Sequence, residues 1–107
     1  MRNNFKNIII TGGAGFIGFS LINSIYKSTS KIFVIDNFST GYNKNFPKNV
    51  RLIRGDCKNY KTFEKLKKYN FDSLIHLAGV SSVEASFDNP EKDANSNIIS
   101  TLNVLKF

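Results

Sequence analysis

Short runs of β-branched and other apolar residues alternate with longer segments in which apolar residues recur at helical spacing. The short runs predict buried strands, and each is followed by a polar or glycine-containing segment that marks a turn. Residues 16–26, residues 60–69 and the segment from Pro90 onward carry apolar residues three or four positions apart, which predicts helices. The predicted strands are residues 7–11, 31–35, 50–54 and 72–78, and the predicted loops are residues 37–48 and 79–88.

The helix starts and the apolar helix faces are also marked in the pattern. Asn89 followed by Pro90 is a typical start, because Asn caps the first N–H groups and Pro has no N–H to satisfy. We expect this helix to continue to Phe107. Strands that alternate with helices imply parallel β-α-β units in a layered α/β fold. The apolar faces are Ile17, Leu21, Ile22 and Ile25 in the first helix, Phe63, Leu66 and Tyr69 in the second, and Ile98, Ile99, Leu102 and Leu105 in the third.

Composition narrows the class of protein. The 107 residues are 41% hydrophobic and 21% charged, as in an ordinary soluble domain. The net charge of +7 would suit a nucleic-acid partner, but the lysines are scattered, and residues 61–68 resemble the solvated face of a helix. Cys57 is the only cysteine, which excludes a disulfide within the chain and suits the reducing cytoplasm. No apolar run reaches the ~18 residues of a membrane span, so no membrane role is expected.

Residues 11–18 read TGGAGFIG and join the first predicted strand to the first predicted helix. Gly12, Gly15 and Gly18 recur at three-residue spacing. One glycine permits the tight turn, a second lets the main chain approach a diphosphate, and a third lets the helix pack closely on the strand. The pattern alone is also typical of a simple tight turn. Its place between a strand and an amphipathic helix, whose first N–H groups can bind phosphate, favours a dinucleotide site.

Asp36 stands at the end of the second predicted strand, 18 positions after Gly18. A carboxylate there can accept hydrogen bonds from both ribose hydroxyls of an adenosine, and it would repel a 2′-phosphate. The alternative is that Asp36 only caps the loop that follows it. Together with the glycine turn, Asp36 favours the ribose role and NAD over NADP as the cofactor.

These motifs resemble the extended short-chain dehydrogenase/reductase family, in particular its nucleotide-sugar epimerases and dehydratases. Residues 11–18 are similar to the TGGAGFIG turn of that family, and residues 36–41 (DNFSTG) to its DNxSTG loop. Residues 55–56 resemble its GD pair, residues 76–79 (HLAG) the end of its fourth strand, and residues 97–101 its NvxGT segment. The resemblance implies the N-terminal part of a Rossmann-type doubly wound parallel sheet with strand order 3-2-1-4. The rest of that domain and the substrate domain would then lie outside the chain.

The same resemblance implies which residues hold the cofactor. The DNxSTG loop would wrap the adenosine ribose, Asp56 would accept a hydrogen bond from the adenine amino group, and Cys57 would lend a backbone contact. The end of the fourth strand would lie beside the phosphates and the second ribose. Asn97 falls where the family places an Asn near the cofactor. The predicted NAD-binding residues are Gly12, Gly15, Phe16, Ile17, Gly18, Asp36, Asn37, Ser39, Thr40, Gly41, Asp56, Cys57, Leu77, Ala78, Gly79 and Asn97.

Some positions depart from the family pattern. Ser100 stands where the family usually has Gly, and Glu84 lies in a loop that approaches the sugar nucleotide and varies among members. The catalytic Tyr-x-x-x-Lys pair of the family is missing, because no tyrosine is followed by a lysine four positions later. We therefore predict no catalytic residue here and expect an N-terminal part of a longer enzyme. An open fourth strand and a partly uncovered last helix would make the isolated chain marginally stable or prone to associate.

Three smaller signals bear on chemistry. His76 is the only histidine, and its place at a strand end favours a structural role over that of a general base. Cys57 has no cysteine or histidine nearby in sequence, which argues against a reactive thiol. Ser81 and Ser82 lie in a predicted loop and fit equally a contact with substrate phosphate and a plain loop.

Two functions follow from these observations. By resemblance, the chain is the NAD-binding part of a nucleotide-sugar epimerase, dehydratase or decarboxylase that acts by transient hydride transfer on the sugar ring. The alternative is a non-catalytic NAD-binding module, either truncated or regulatory. The partners implied by the resemblance are a nucleotide-sugar substrate and, through helices that include the last one, a second copy of the chain.

Overall fold

The computed structural model describes residues 5–79 and 83–107, apart from the side chains of Val83 and Ala85, so that Ser81 and Ser82 lie outside the described residues. Its strands form a single parallel sheet in the order β3-β2-β1-β4, which confirms the expected order 3-2-1-4. The predicted strand at residues 50–54 is confirmed to the residue. The strands are β1 (Phe5–Thr11), β2 (Thr29–Asp36), β3 (Val50–Arg54) and β4 (Ser73–His76).

Helices cover both faces of this sheet. The capped start at Asn89 is confirmed, because its Oδ1 accepts a hydrogen bond from the backbone N–H of Lys92 at 3.0 Å. From Pro90 onward one continuous helix contains a wider π turn, and we call this whole segment the last helix. The elements are α1 (Phe16–Ile25), a 3₁₀ turn (Tyr26–Ser28), α2 (Lys61–Glu64), α3 (Val83–Asp88), α4 (Pro90–Ala94), the π turn (Asn95–Ile99) and α5 (Ser100–Lys106).

The core lies in two layers, because successive residues of a strand point to opposite faces of the sheet. On the face covered by α1, the buried side chains are Ile8, Ile10, Ile22, Ile32 and Val34. On the face covered by α2 and α5, they are Ile9, Phe33, Ile35, Cys57, Phe63 and Leu66, with Val104 and Phe107 packed against them.

The helix predicted at residues 60–69 is shorter than expected. It ends at Glu64, and the chain continues in turns closed by hydrogen bonds between residues three apart, as from Leu66 to Phe63 and from Tyr69 to Leu66. At three residues per turn, side chains three apart stay on one face, whereas an α-helix would rotate them progressively away from it. The tighter winding therefore keeps Phe63, Leu66 and Tyr69 against the sheet. The neighbouring lysines are exposed, as expected for a solvated face.

Two boundaries around β4 also differ from the prediction. β4 ends at His76, two residues earlier than predicted. Beyond it, the backbone N–H of Leu77 donates to both the carbonyl oxygen and Oγ1 of Thr11 at 3.1 Å, and that of Ala78 donates to Oγ1 of Thr11 at 3.2 Å. Residues 83–88, predicted as loop, form α3. This helix stops immediately before Asn89, whose φ of −146° is extended, as expected for a residue that precedes proline.

The apolar helix faces are only partly directed at the sheet. Ile22 is buried as expected, but Ile17 is 67% exposed because it lies at the start of α1, outside the contact with the sheet. The apolar face of the last helix is exposed along its length, with Leu105 76% exposed. Its inward side instead carries the buried polar residues Ser100 and Asn103. The expectation that the last helix lacks part of its apolar cover holds within the described residues.

Candidate functional site

The carboxyl ends of the strands meet at one edge of the sheet, since the register places Thr11 beside His76 and Asp36 beside Arg54. A cleft of about 130 Å³ opens there, as is usual for parallel α/β sheets. Typical small-molecule pockets have volumes of ~300 Å³ or more, so this cleft encloses only part of a dinucleotide. The predicted site residues that line the cleft are Gly12, Gly15, Asp36, Asn37, Ser39, Thr40, Gly41, Asp56, Cys57, Leu77, Ala78 and Gly79.

At Gly12 and Gly18, backbone atoms leave no room in the glycine turn for a side chain. Gly12 has a φ of +74°, in the left-handed region, and a Cβ on it would lie 2.8 Å from the backbone nitrogen of Ala78. A Cβ on Gly18 would overlap the carbonyl oxygen of Gly12 and lie 2.7 Å from Cα of Gly13. Gly18 is therefore buried behind the turn rather than in the cleft, and it brings α1 close to β1.

Gly15 differs from these two glycines. Its φ of −78° is open to any residue, and a Cβ on it would have a single neighbour within 4 Å, the oxygen of Gly12 at 3.4 Å. Within the described residues, the backbone N–H groups of Phe16 and Ile17 have no hydrogen-bond partner, as is usual at a helix start. Neither residue lines the cleft. Both side chains are exposed, so their contribution to a site would come through the backbone.

Asp36 ties the glycine turn to the following loop. Asp36 is 7% exposed, and its carboxylate accepts two backbone hydrogen bonds, from Ala14 to Oδ2 at 2.9 Å and from Phe38 to Oδ1 at 2.8 Å. Asp36 thus caps the loop, as its alternative interpretation proposed, and it also lines the cleft. Each carboxylate oxygen has two acceptor sites, so the capping bonds leave capacity for a hydroxyl.

The loop after β2 is folded onto the glycine turn. Gly41 lies against Ala14, where a Cβ would come within 2.8 Å of the carbonyl carbon of Ala14. Phe38 adopts a left-handed φ of 59°, which is an outlier for a bulky residue and which the sequence pattern did not predict. Its ring packs under the guanidinium of Arg54 at 4.8 Å and the ammonium of Lys44 at 5.4 Å. Phe38 is not among the residues that line the cleft.

The remaining predicted residue, Asn97, lies beside the cleft rather than in its lining. Its Nδ2 donates to Oδ1 of Asp93 at 3.2 Å, and a Cβ on Gly79 would lie 2.9 Å from its Oδ1. Two residues that the sequence did not predict, Ser96 and Ser100, line the cleft from the last helix. For Ser100 the sequence did contain a signal, because serine replaces the glycine that is usual in the family and its residue lines the cleft.

His76 is held in a structural hydrogen bond. Oγ1 of Thr11 lies 2.6 Å from its Nδ1 and accepts from the N–H groups of Leu77 and Ala78. Burial lowers the pKa of His76 below its ordinary value, so the ring is neutral at pH 7. Because Oγ1 of Thr11 already accepts two N–H groups, its hydroxyl donates a hydrogen bond to Nδ1 of the neutral ring, and this bond joins β4 to β1.

The Cys57 thiol is buried at the inner side of the cleft. Burial, and then the negative charges of Asp56 and Asp36, raise the pKa of Cys57 from 9.0 to about 12. The thiol therefore stays protonated at neutral pH, as a structural cysteine does.

We expect thiol reagents to modify the folded protein at least about a thousandfold more slowly than the unfolded chain at pH 8, because the raised pKa leaves that much less thiolate. Since the folded pKa is raised, this group also stabilises the folded state below pH ~9, and its contribution is lost as the pH rises toward 12. A disulfide reagent such as dithiobisnitrobenzoate, in buffer and in urea, measures both rates on the single cysteine. Equal rates in the two solvents would contradict the prediction.

The described part of the chain shows neither a cluster of metal ligands nor a membrane-spanning helix. Residues 5–79 and 83–107 contain no group of three His, Cys, Asp or Glu side chains placed to hold a metal ion. In the same ranges, no helix has both the length and the apolar content needed to cross a membrane.

Comparison with known proteins gives a consistent set of relatives. The profile of the NAD dependent epimerase/dehydratase family matches residues 8–107. The chain is 32% identical over 111 residues to a bifunctional UDP-glucose 4-epimerase and UDP-xylose 4-epimerase of Pisum sativum, covering 92% of this chain and 32% of that protein. The solved UDP-glucose 4-epimerase of Thermus thermophilus in complex with NAD superposes with a TM-score of 0.84 at 30% identity, covering 94% of this chain and 32% of that one.

A second solved relative, the UDP-glucose 4-epimerase of Thermotoga maritima with UDP-glucose, superposes with a TM-score of 0.86 at 32% identity. It is covered over 33% of its length, against 94% of this chain. The chain therefore spans about a third of the length of these relatives.

Proposed function

Because the chain belongs to the NAD-dependent epimerase/dehydratase family, we propose that its cleft binds NAD and that it is the cofactor-binding part of a nucleotide-sugar epimerase or dehydratase. The relatives support this assignment, since one is named for UDP-glucose and UDP-xylose epimerisation and another was crystallised with NAD. When bound, NAD would take a hydride from the sugar ring and return it.

One observation carries the proposal: the cleft holds a buried carboxylate, and Gly15 in its lining leads directly into the anion-binding start of α1. The N–H groups of Phe16 and Ile17, which have no partner among residues 5–79 and 83–107, suit the diphosphate, because a helix N-terminus binds negative charge. Asp36 offers acceptor capacity for the ribose hydroxyls of the adenosine. The carboxylate would repel a 2′-phosphate, which favours NAD over NADP.

Gly15 provides the test of fit. Neither its φ of −78° nor its neighbours require a glycine, since a Cβ there meets only one atom, at 3.4 Å. Nothing within the described part of the chain therefore requires a glycine at position 15. We propose that the bound diphosphate requires it, because the main chain must approach the diphosphate closely.

We expect Gly15→Ala to weaken NAD binding about tenfold or more, because its methyl group would stand between the turn and the diphosphate. The free energy of unfolding should change by less than ~1 kcal/mol, the usual range for exchanging Gly and Ala at a helix cap. Calorimetric titration with NAD and NADP, and urea unfolding, measure the two quantities. Wild-type protein that binds neither dinucleotide would overturn the proposed function, and unchanged affinity in the variant would remove Gly15 from the site.

We further propose a nucleotide sugar as substrate and a second copy of the chain as partner, in the cytoplasm where the free thiol of Cys57 is maintained. The exposed apolar side of the last helix supports the second copy, because Ile98, Leu102 and Leu105 recur at helical spacing and are 59, 50 and 76% exposed. A strictly monomeric protein in sedimentation equilibrium would contradict the homodimer.

A further inference from the structure

Two buried side chains hold the turn that follows β3. Oγ1 of Thr62 donates to the carbonyl oxygen of Asp56 at 2.9 Å, and Nδ2 of Asn103 donates to the carbonyl oxygen of Cys57 at 2.8 Å. Thr62 is 8% exposed and Asn103 is 7% exposed, so water cannot compete freely for either hydrogen bond. Asn103 lies on α5, 46 positions further along the chain, and therefore ties the last helix to the cleft.

The peptide between Cys57 and Lys58 is fixed on both of its edges. A trans peptide is planar, and its C=O and N–H point in opposite directions. The C=O of this peptide accepts from Asn103, and its N–H, on Lys58, donates to Oδ1 of Asp56 at 2.9 Å. Asn103 therefore orients the peptide that in turn orients the Asp56 carboxylate.

The other contacts of that carboxylate are weaker. Its Oδ2 lies 3.3 Å from Nδ2 of Asn37 and 3.7 Å from Nζ of Lys58, and this ion pair is exposed to solvent. Exposed pairs of this kind contribute little. The two hydrogen bonds that link Asn103, the 57–58 peptide and Asp56 are thus the main constraint on the direction of the Asp56 carboxylate.

The neighbouring backbone N–H of Cys57 has no partner within the described residues, although Cys57 is only 5% exposed. It points opposite to the carbonyl of Asp56, and so away from Thr62. Asp56 and Cys57 both line the cleft, so the turn carries a carboxylate acceptor and an amide donor on adjacent residues there.

We propose that Asn103 is a positioning residue that sets the base selectivity of the cleft. The inference rests on the proposed function, in which this cleft takes the adenine of NAD. Adenine offers an amino donor beside the ring acceptor N1, which complements the Asp56 carboxylate and the Cys57 N–H. Hypoxanthine offers an oxo acceptor beside an N1–H donor, so both hydrogen bonds would be reversed.

The test compares NAD with nicotinamide hypoxanthine dinucleotide by calorimetric titration. We expect wild-type protein to prefer NAD by on the order of tenfold, the scale of a correctly paired hydrogen bond. Asn103→Leu, which keeps the size but loses the donor, should reduce this preference to about twofold or less. Asn103→Asp, which replaces the donor by a carboxylate facing the Cys57 carbonyl, should have the same effect, and it serves if the leucine variant does not fold.

Asn49→Leu is the matched control. Its Nδ2 donates to the carbonyl oxygens of Tyr26 and Thr29 at 2.8 and 2.9 Å, away from the cleft lining. We expect this variant to lose stability but to keep the wild-type preference for NAD.

A wild-type preference in both Asn103 variants would overturn the positioning role, and equal binding of both dinucleotides by wild-type protein would overturn it together with the role of Asp56. Absence of NAD binding in wild-type protein would instead overturn the proposed function.

Discussion

Asp36→Ala is expected to weaken NAD binding by about 3 kcal/mol, roughly a hundredfold, which is the scale of losing two hydrogen bonds to a charged acceptor. The structure adds a second reason, because the same carboxylate holds the backbone N–H groups of Ala14 and Phe38. Without it, the glycine turn and the following loop lose their shared anchor. The free energy of unfolding should also fall, by about 1–3 kcal/mol, since two backbone donors lose their buried partner.

Asp72→Ala separates these two effects. The carboxylate of Asp72 also accepts two backbone hydrogen bonds, from Lys6 at 2.7 Å and from Asn7 at 3.1 Å, but at the opposite end of β1. We expect this control to lose stability without losing NAD affinity. Calorimetric titration and urea unfolding of both variants provide the comparison. If Asp36→Ala bound NAD as tightly as the control does, Asp36 would be a loop cap and nothing more.

Gly18→Ala is expected to lower the free energy of unfolding by about 2–3 kcal/mol, the cost of forcing an extra carbon into a packed site. The added Cβ would overlap the oxygen of Gly12 and stand 2.7 Å from Cα of Gly13. These are backbone atoms of the turn and cannot rotate away as a side chain would. Alanine is the better helix former by up to ~1 kcal/mol, which offsets only part of this cost.

Gly15→Ala is the matched variant in the same urea experiment, because it adds the same methyl group three positions earlier, where the only neighbour within 4 Å among the described residues is the oxygen of Gly12 at 3.4 Å. We expect Gly18→Ala to lower the free energy of unfolding and Gly15→Ala to lower the affinity for NAD. Equal unfolding free energies for Gly18→Ala and wild-type protein would show that α1 can shift away from the turn at no cost.

The local sequence pattern was sufficient to predict the strands and the glycine turn that carry the site. The short runs of β-branched and other apolar residues located the four strands of the sheet, and the glycine spacing placed the turn between β1 and α1, because these features depend on neighbours within a few residues. Most of the predicted site residues meet at one cleft for a related reason, since in a parallel sheet the residues that follow each strand share an edge. The motif at residues 36–41 was likewise located without knowledge of its contacts.

The sequence by itself thus determined the four strands, the first and last helices and the position of the cleft, but it missed α3 and overestimated the length of α2. Only the tertiary structure decided which side of the last helix faces inward, because helical period marks a face but not the surface that it meets. Ser100 and Asn103 are buried, whereas Leu102 and Leu105 are exposed. The double hydrogen bonding of Asp36, the left-handed Phe38 and the bond from Asn103 to Cys57 depend equally on long-range packing. Contacts between residues tens of positions apart have no local signature, and they fix the direction of each polar group at the cleft.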